Sequence, residues 1–160
     1  FADIVTGAGE GGVPHVKFFS GKYFHLIKEF MAFDVSFRGG VFVAVGDYLS
    51  DGKYEIITGA GFGGGPHIKI WDYETLNLDG QTMAFTDFTK PNGEVIDAIF
   101  TGGVRVALAD ANGDNVLDIL AGAGPNGGPR VEAFVGFRLE LLMDFFTGDK
   151  KDGRGVFVSQ

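Results

Sequence analysis

At 160 residues the chain is one domain's worth of polypeptide, and its 45% apolar and 21% charged residues supply a core and argue against wholesale disorder. A net charge of −8, with no Lys/Arg cluster longer than a pair, argues against a nucleic-acid partner. The lack of Cys excludes disulfide, thiol and Cys-based zinc chemistry, and no apolar run approaches the roughly 20 residues of a membrane span.

The elements follow a repeat. DIVTGAGEGGVPHVKFF begins at Asp3, EIITGAGFGGGPHIKIW at Glu55 and DILAGAGPNGGPRVEAF at Asp118. A second phrase precedes two of them, GGVFVAVGD to Asp47 and GGVRVALAD to Asp110, and GRGVFVSQ closes the chain. The acidic residue stands 12 residues before His15, His67 and Arg130 in the three copies, and Asp47 and Asp110 stand 8 before Glu55 and Asp118. The copies are 52 and 63 residues apart, the longer one carrying 11 extra residues near TDFTKPNGEVIDAIF. A single domain over 1–160 is expected, with repeats at 1–40, 41–103 and 104–155, and 156–160 starting a further or closing unit. The chain opens at Phe1 without an initiator Met, which reads as a processed form or a piece of something longer.

Each repeat reads as four short strands. In the middle copy these are 41–47, 55–61, 67–72 and 82–88, and YFHLIKEFMAF and FRLELLMDFF take the fourth place in the other two. Val41, Val43 and Val45, and likewise Val104, Val106 and Leu108, alternate as in strands with one buried face. Counted through, the chain holds twelve strands, the last being GVFVS. Four strands in a unit of this length is the arithmetic of a propeller blade. The expected fold is all-β, with three blades of four antiparallel strands forming part of a larger ring or an oligomeric propeller.

The acidic D-x-N-x-D-x-x-x-D loop followed by DIVTGAG-like strands, together with the GAGPNGGPRV form, resembles the FG-GAP and FG-GAP-like repeats related to those of integrin-alpha propellers. The resemblance spans nearly the whole chain. It implies a β-propeller with calcium in an interstrand loop of each suitable blade, and extracellular scaffold or interaction roles more often than catalysis. Propellers of that family usually close with about seven blades, so further blades, from the same chain or another subunit, are implied.

A hard cation takes six to eight oxygens, gathered from alternate residues of a tight loop. Asp110, Asn112, Asp114 and Asp118 offer side-chain oxygens at loop positions 1, 3, 5 and 9, with the carbonyl of Val116 at position 7. Asn115, at the turn, tolerates a left-handed backbone. The second loop offers Asp47, Asp51 and Glu55, with the Lys53 carbonyl at position 7, but Leu49 replaces a ligand at position 3. The first copy keeps only Asp3. An alternative for such loops is a hairpin turn in which short polar side chains cap their own backbone.

Three other patterns are expected to be structural. G-x-G-x-x-G occurs at Gly7, Gly59 and Gly122, but Pro and an alternating strand follow where a dinucleotide site needs a helix. The glycines then mark close backbone approach. His15 and His67 align with Arg130, so the position wants a hydrogen-bond donor at a strand start. Phe18, Phe19, Trp71 and Phe134, and Phe33, Phe85 and Phe146, recur at matched positions, which favours packing between blades. The insertion between Asp87 and Phe100 is the expected specialised contact surface, with Ile96, Ile99 and Phe100 as anchors.

The resulting expectation is a non-catalytic, calcium-binding module of a secreted or cell-surface protein. It would serve as a scaffold or adhesion platform for a protein partner, for further blades or within a homo-oligomer. The alternative is a calcium-dependent, lectin-like module for a glycan. An enzyme would carry an acidic or His cluster that does not repeat.

Overall fold

Runs rich in Val, Ile and Thr, punctuated by Gly, Asp and Pro, favour short pleated strands over helices. The computed structural model describes residues 1–86, 100–136 and 138–159, and within them the chain is all-β, without helix. The first sheet comprises β1 (Ile4–Gly7), β2 (His15–Phe19) and β3 (Leu26–Met31). The second comprises β4 (Val41–Gly46), β5 (Glu55–Ala60), β6 (His67–Asp72) and β7 (Leu78–Met83). The third comprises β8 (Val104–Ala109), β9 (Asp118–Ala123), β10 (Arg130–Val135) and β11 (Glu140–Phe146). Each is an antiparallel meander in chain order. A register shift falls at the same place in each outer hairpin, at Phe18/Phe19, Ile70/Trp71 and Ala133/Phe134. Among the described residues no helix is long and apolar enough to cross a membrane.

The sheets stack on one another. Val16, Phe18, Val41 and Ile56 form one core between the first and second sheets. Ile57, Ile68, Val104, Val106 and Ile119 belong to a second core, between the second and third sheets. Consecutive residues of β5, Ile56 and Ile57, thus serve different cores, and all six β5 residues are buried. The expectation of one buried face is corrected here. β4 sends Val41 and Val43 to the first core and Phe42 and Ala44 to the second, because its sheet is covered on both sides. Each fully buried Ile contributes about 1.5–3 kcal/mol.

Close approach of backbone, not only of side chains, joins the sheets. A Cβ added to Gly59 would lie 2.4 Å from the carbonyl oxygen of Val104, and one added to Gly7 would lie 2.2 Å from that of Val41. Only glycine permits these contacts. Main-chain bonds run alongside: the Gly63 amide donates to Thr101 (2.9 Å) and the Val41 amide to Ala8 (2.8 Å). The glycine motifs mark close backbone approach, as their sequence context implied, both within a sheet and between sheets, and a strand follows each.

Three expectations change. The fourth strand of the second sheet is Leu78–Met83, not 82–88. Asp72 draws the chain into an early turn by accepting from the Thr75 amide (2.6 Å), and Phe85 ends the strand at a φ of 55°. Residues 156–159 form no strand. Val156 donates to Ala123 (2.9 Å) as Val41 donates to Ala8 (2.8 Å), but the ladder that follows in β4 has no counterpart there. Finally, the insertion's Ile96 and Ile99 lie outside the described residues, and Phe100 is no surface anchor. It is 8% exposed and meets Phe85 edge-on, 6.0 Å between ring centroids, inside the second core.

Candidate metal centre

The hairpin loops between the first and second strands of the second and third sheets carry the acidic residues. Pairing fixes their ends: Glu55 lies opposite Gly46 and Asp118 opposite Ala109, so each acid starts the second strand as its loop closes. Val116 and Leu117 return the chain to the sheet, with Leu117 packed on the core beneath.

In the third-sheet loop Asp110 sits at the centre of a fan of amides. Its Oδ1 accepts from Gly113 (2.6 Å) and Asp114 (3.1 Å), and its Oδ2 from Asn115 (2.9 Å). These donors, the Asn115 amide foremost, hold the Asp110 carboxyl below the usual range, so it stays ionised. Asn112 accepts from the Asp114 amide (2.9 Å) and donates to Asp114 Oδ2 (3.0 Å), while Asp114 Oδ1 accepts from Val116 (2.8 Å). Asn115 has a φ of 65°, the left-handed backbone expected at the turn. Asp118 differs from all of these. It is fully buried, its Oδ2 accepts from the Ala111 amide (2.9 Å), and among the described residues its Oδ1 has no hydrogen-bond partner. A buried carboxylate oxygen without a donor is costly unless a cation meets it. The donor set, hard oxygens with three carboxylates, suits calcium.

The second-sheet loop has the same frame with fewer oxygens. Asp47 accepts from Asp51 (3.0 Å) and Gly52 (3.1 Å), Asp51 accepts from Lys53 (3.0 Å), and Gly52 takes the left-handed backbone at a φ of 85°. Glu55 is buried and accepts from the Leu49 amide (3.0 Å). Burial raises its pKa against those amide bonds, and Asp51 and Asp47 raise it further. Leu49, where a ligand would stand, instead packs on the second core. Asp3 is committed elsewhere, accepting from the Gly21 amide (3.1 Å). Among the described residues no three His, Asp or Glu side chains stand together as a ready-made metal cage. The third loop keeps its acids apart by bonding them to its own amides, as the turn alternative describes.

Tyr48, at the place Ala111 holds in the third loop, is a residue that motif reading passes over. It is 2% exposed and donates its hydroxyl to Gly136 (2.6 Å), tying the second-sheet loop to the third sheet. Burial, with the Asp118 charge adding to it, pushes its pKa up to about 12. The sequence signal was the apolar pair Tyr48-Leu49 standing where the third loop has Ala111 and Asn112.

The aligned donors make three cross-strand bonds. His15 Nε2 stands 3.0 Å from Glu29, His67 Nε2 is 2.9 Å from Gln81, and Arg130 grips Asp144 through Nε and Nη2, both at 2.8 Å. Their role as strand-start donors agrees with the sequence. Burial lowers the His67 pKa from 6.5. The folded state therefore favours neutral imidazole, so its contribution is present above the unfolded value and lost as pH falls through about 6.5. Replacing His67→Gln should flatten the fall in unfolding free energy between about pH 7 and 5, measured by urea denaturation; an unchanged slope would contradict this.

Comparison with known proteins returns no relative: no family model, no curated protein and no solved structure matches the chain.

Proposed function

We propose that the chain is a calcium-binding β-propeller module, non-catalytic, acting as a scaffold or adhesion platform of a secreted or cell-surface protein. The observation that carries the metal assignment is Asp118 Oδ1, buried and without a donor at the end of a loop bearing Asp110, Asn112 and Asp114. On binding, these oxygens and the Val116 carbonyl turn inward onto the ion and give up part of their amide bonding. The loop of Asp47, Asp51, Lys53 and Glu55 is the weaker site, since Leu49 supplies no oxygen. The blade reading rests on the face-to-face stacking of antiparallel meanders of three, four and four strands through glycine seams. Further blades, in the same chain or from a second subunit, would complete the ring.

Ligand that binds only the folded state adds about 2.7 kcal/mol at a hundredfold excess over Kd. For a chain of this length that raises Tm by roughly 5–11 °C. Melting in calcium against melting in chelator should show this difference in the wild type. Asp118→Asn should abolish it without lowering Tm in chelator, because the substitution neutralises a buried, half-satisfied carboxylate. Coincident wild-type curves, or a shift that survives Asp118→Asn, would overturn the assignment.

A further inference from the structure

The outer faces of the stack are not covered as the inner ones are. Ile4, Ile56 and Ile119 hold the same place in the three sheets. Ile56 and Ile119 are fully buried against the preceding sheet, whereas Ile4 is 47% exposed. Phe24, Leu76 and Leu139 also correspond, and all three take a left-handed backbone, with φ of 57°, 58° and 55°. Leu76 packs on the first core and Leu139 on the second, but Phe24 is 75% exposed. On the opposite face of the stack, Phe145 stands where Phe30 stands in the first sheet. Phe30 crosses to Trp71 of the second sheet, 4.9 Å between ring centroids, while Phe145 is 45% exposed. The first sheet also has three strands where the others have four. The place without a strand is beside β1, where β4 and β8 stand beside β5 and β9. Residues 156–158 repeat the Val-Phe-Val of β4. The Val156 amide bonds to Ala123 as that of Val41 does to Ala8, so this segment is seated on the third sheet as β4 is on the first.

We infer that these two outer faces fit each other, so that a second copy of this chain docks head to tail, third sheet onto first sheet. Residues 156–158 of one copy then pair with the free edge of β1 in the other, in the β4–β5 register, with Val156 opposite Ala8 and Phe157 opposite Gly7. Phe145 of one copy meets Phe19 of the other, as Phe30 meets Trp71, and Phe24 enters the new core as Leu76 and Leu139 enter the existing ones. The contact continues a seam that the chain already makes twice within itself. The inference rests on the blade reading above. Two copies of three sheets bring six, within the roughly four to eight blades at which propellers close, whereas three copies would bring nine. The expected particle is a closed dimer.

Light scattering from the wild type should give a two-chain mass. Phe24→Glu and Phe145→Glu, each at an exposed ring, should keep the fold by circular dichroism and weaken self-association at least about thirtyfold, the loss of an aromatic anchor. Mixed together, the two variants should recover a dimer. The Phe24→Glu copy keeps its third-sheet face, the Phe145→Glu copy keeps its first-sheet face, and one contact is therefore restored. Tyr54→Glu, at an exposed ring on the middle sheet, should dimerise like the wild type. Leu139→Glu, at the internal counterpart of Phe24, should destabilise the fold itself. A monomeric wild type, variants that dimerise undiminished, or a mixture that stays monomeric overturns the inference. If Leu139→Glu is destabilised in that case, the stacked blades stand without the dimer; if it is not, the blade reading falls and the inference with it.

Discussion

Gly124→Ala should cost about 4 kcal/mol or more, the range reached only when packing or backbone is directly violated. The added Cβ would stand 1.8 Å from the Gly102 carbonyl oxygen and 2.6 Å from its carbon. Backbone cannot step aside as a side-chain tip can, so the strand ends where β8 meets β9 must separate within the third sheet. A domain of this size has about 5–15 kcal/mol in total, and Tm should fall by roughly 8–16 °C. Gly61→Ala should behave alike, since its Cβ would lie 1.9 Å from the Gly39 oxygen. Gly9 provides the matched control. It holds the same place in the first motif, yet no atom lies within 4 Å of its Cβ position, so Gly9→Ala should stay within about 0.5 kcal/mol. Urea denaturation of the three variants would check this, and equal losses at Gly9 and Gly124 would refute the close backbone approach.

Arg130→Ala should cost about 3–5 kcal/mol, the penalty for removing one partner of a buried ion pair. Arg130 and Glu132 are 5% and 3% exposed, with Nη2 and Oε1 3.2 Å apart. Glu132 also accepts from the Phe85 amide at 2.8 Å, so this network reaches from the third sheet into the end of the second. The pairing with Asp144 adds less, because that carboxylate is 31% exposed. Arg130→His, which restores the residue type found at His15 and His67, should lose less than the alanine variant. Chemical denaturation at neutral pH measures both, and an alanine variant as stable as the wild type would remove the network from the account.

Much of this architecture could be read from the chain because its signals are local. Alternating apolar residues and fixed spacing located ten of the strands, and Gly-Pro punctuation located the turns between them. The aligned His15, His67 and Arg130 announced cross-strand donors before any partner was known. Signals that depend on what lies across a seam were harder to read. Val41 and Phe42 look like one buried and one open position until a sheet is stacked on each side. Phe100 looked like part of an exposed insertion, yet it occupies the place of Phe37, under the glycines of the next seam. Thr75 and Phe85 shifted β7 through turn geometry that its composition does not advertise.

The candidate site divides the same way. Spacing alone picked out Asp110, Asn112, Asp114 and Asp118, and it also marked the second loop as deficient at Leu49. It could not tell that Asp110 would spend its oxygens on three amides, or that Asp118 would be buried with one oxygen unbonded. Those properties belong to the folded loop.

The most direct test of the account is a high-resolution electron-density map of crystals grown in calcium, with anomalous scattering used to identify the ion. The account predicts a peak in the third-sheet loop, about 2.3–2.6 Å from side-chain oxygens of Asp110, Asn112, Asp114 and Asp118. A loop that keeps its amide-capped turn in saturating calcium, with Asp118 Oδ1 still facing no cation, would contradict it.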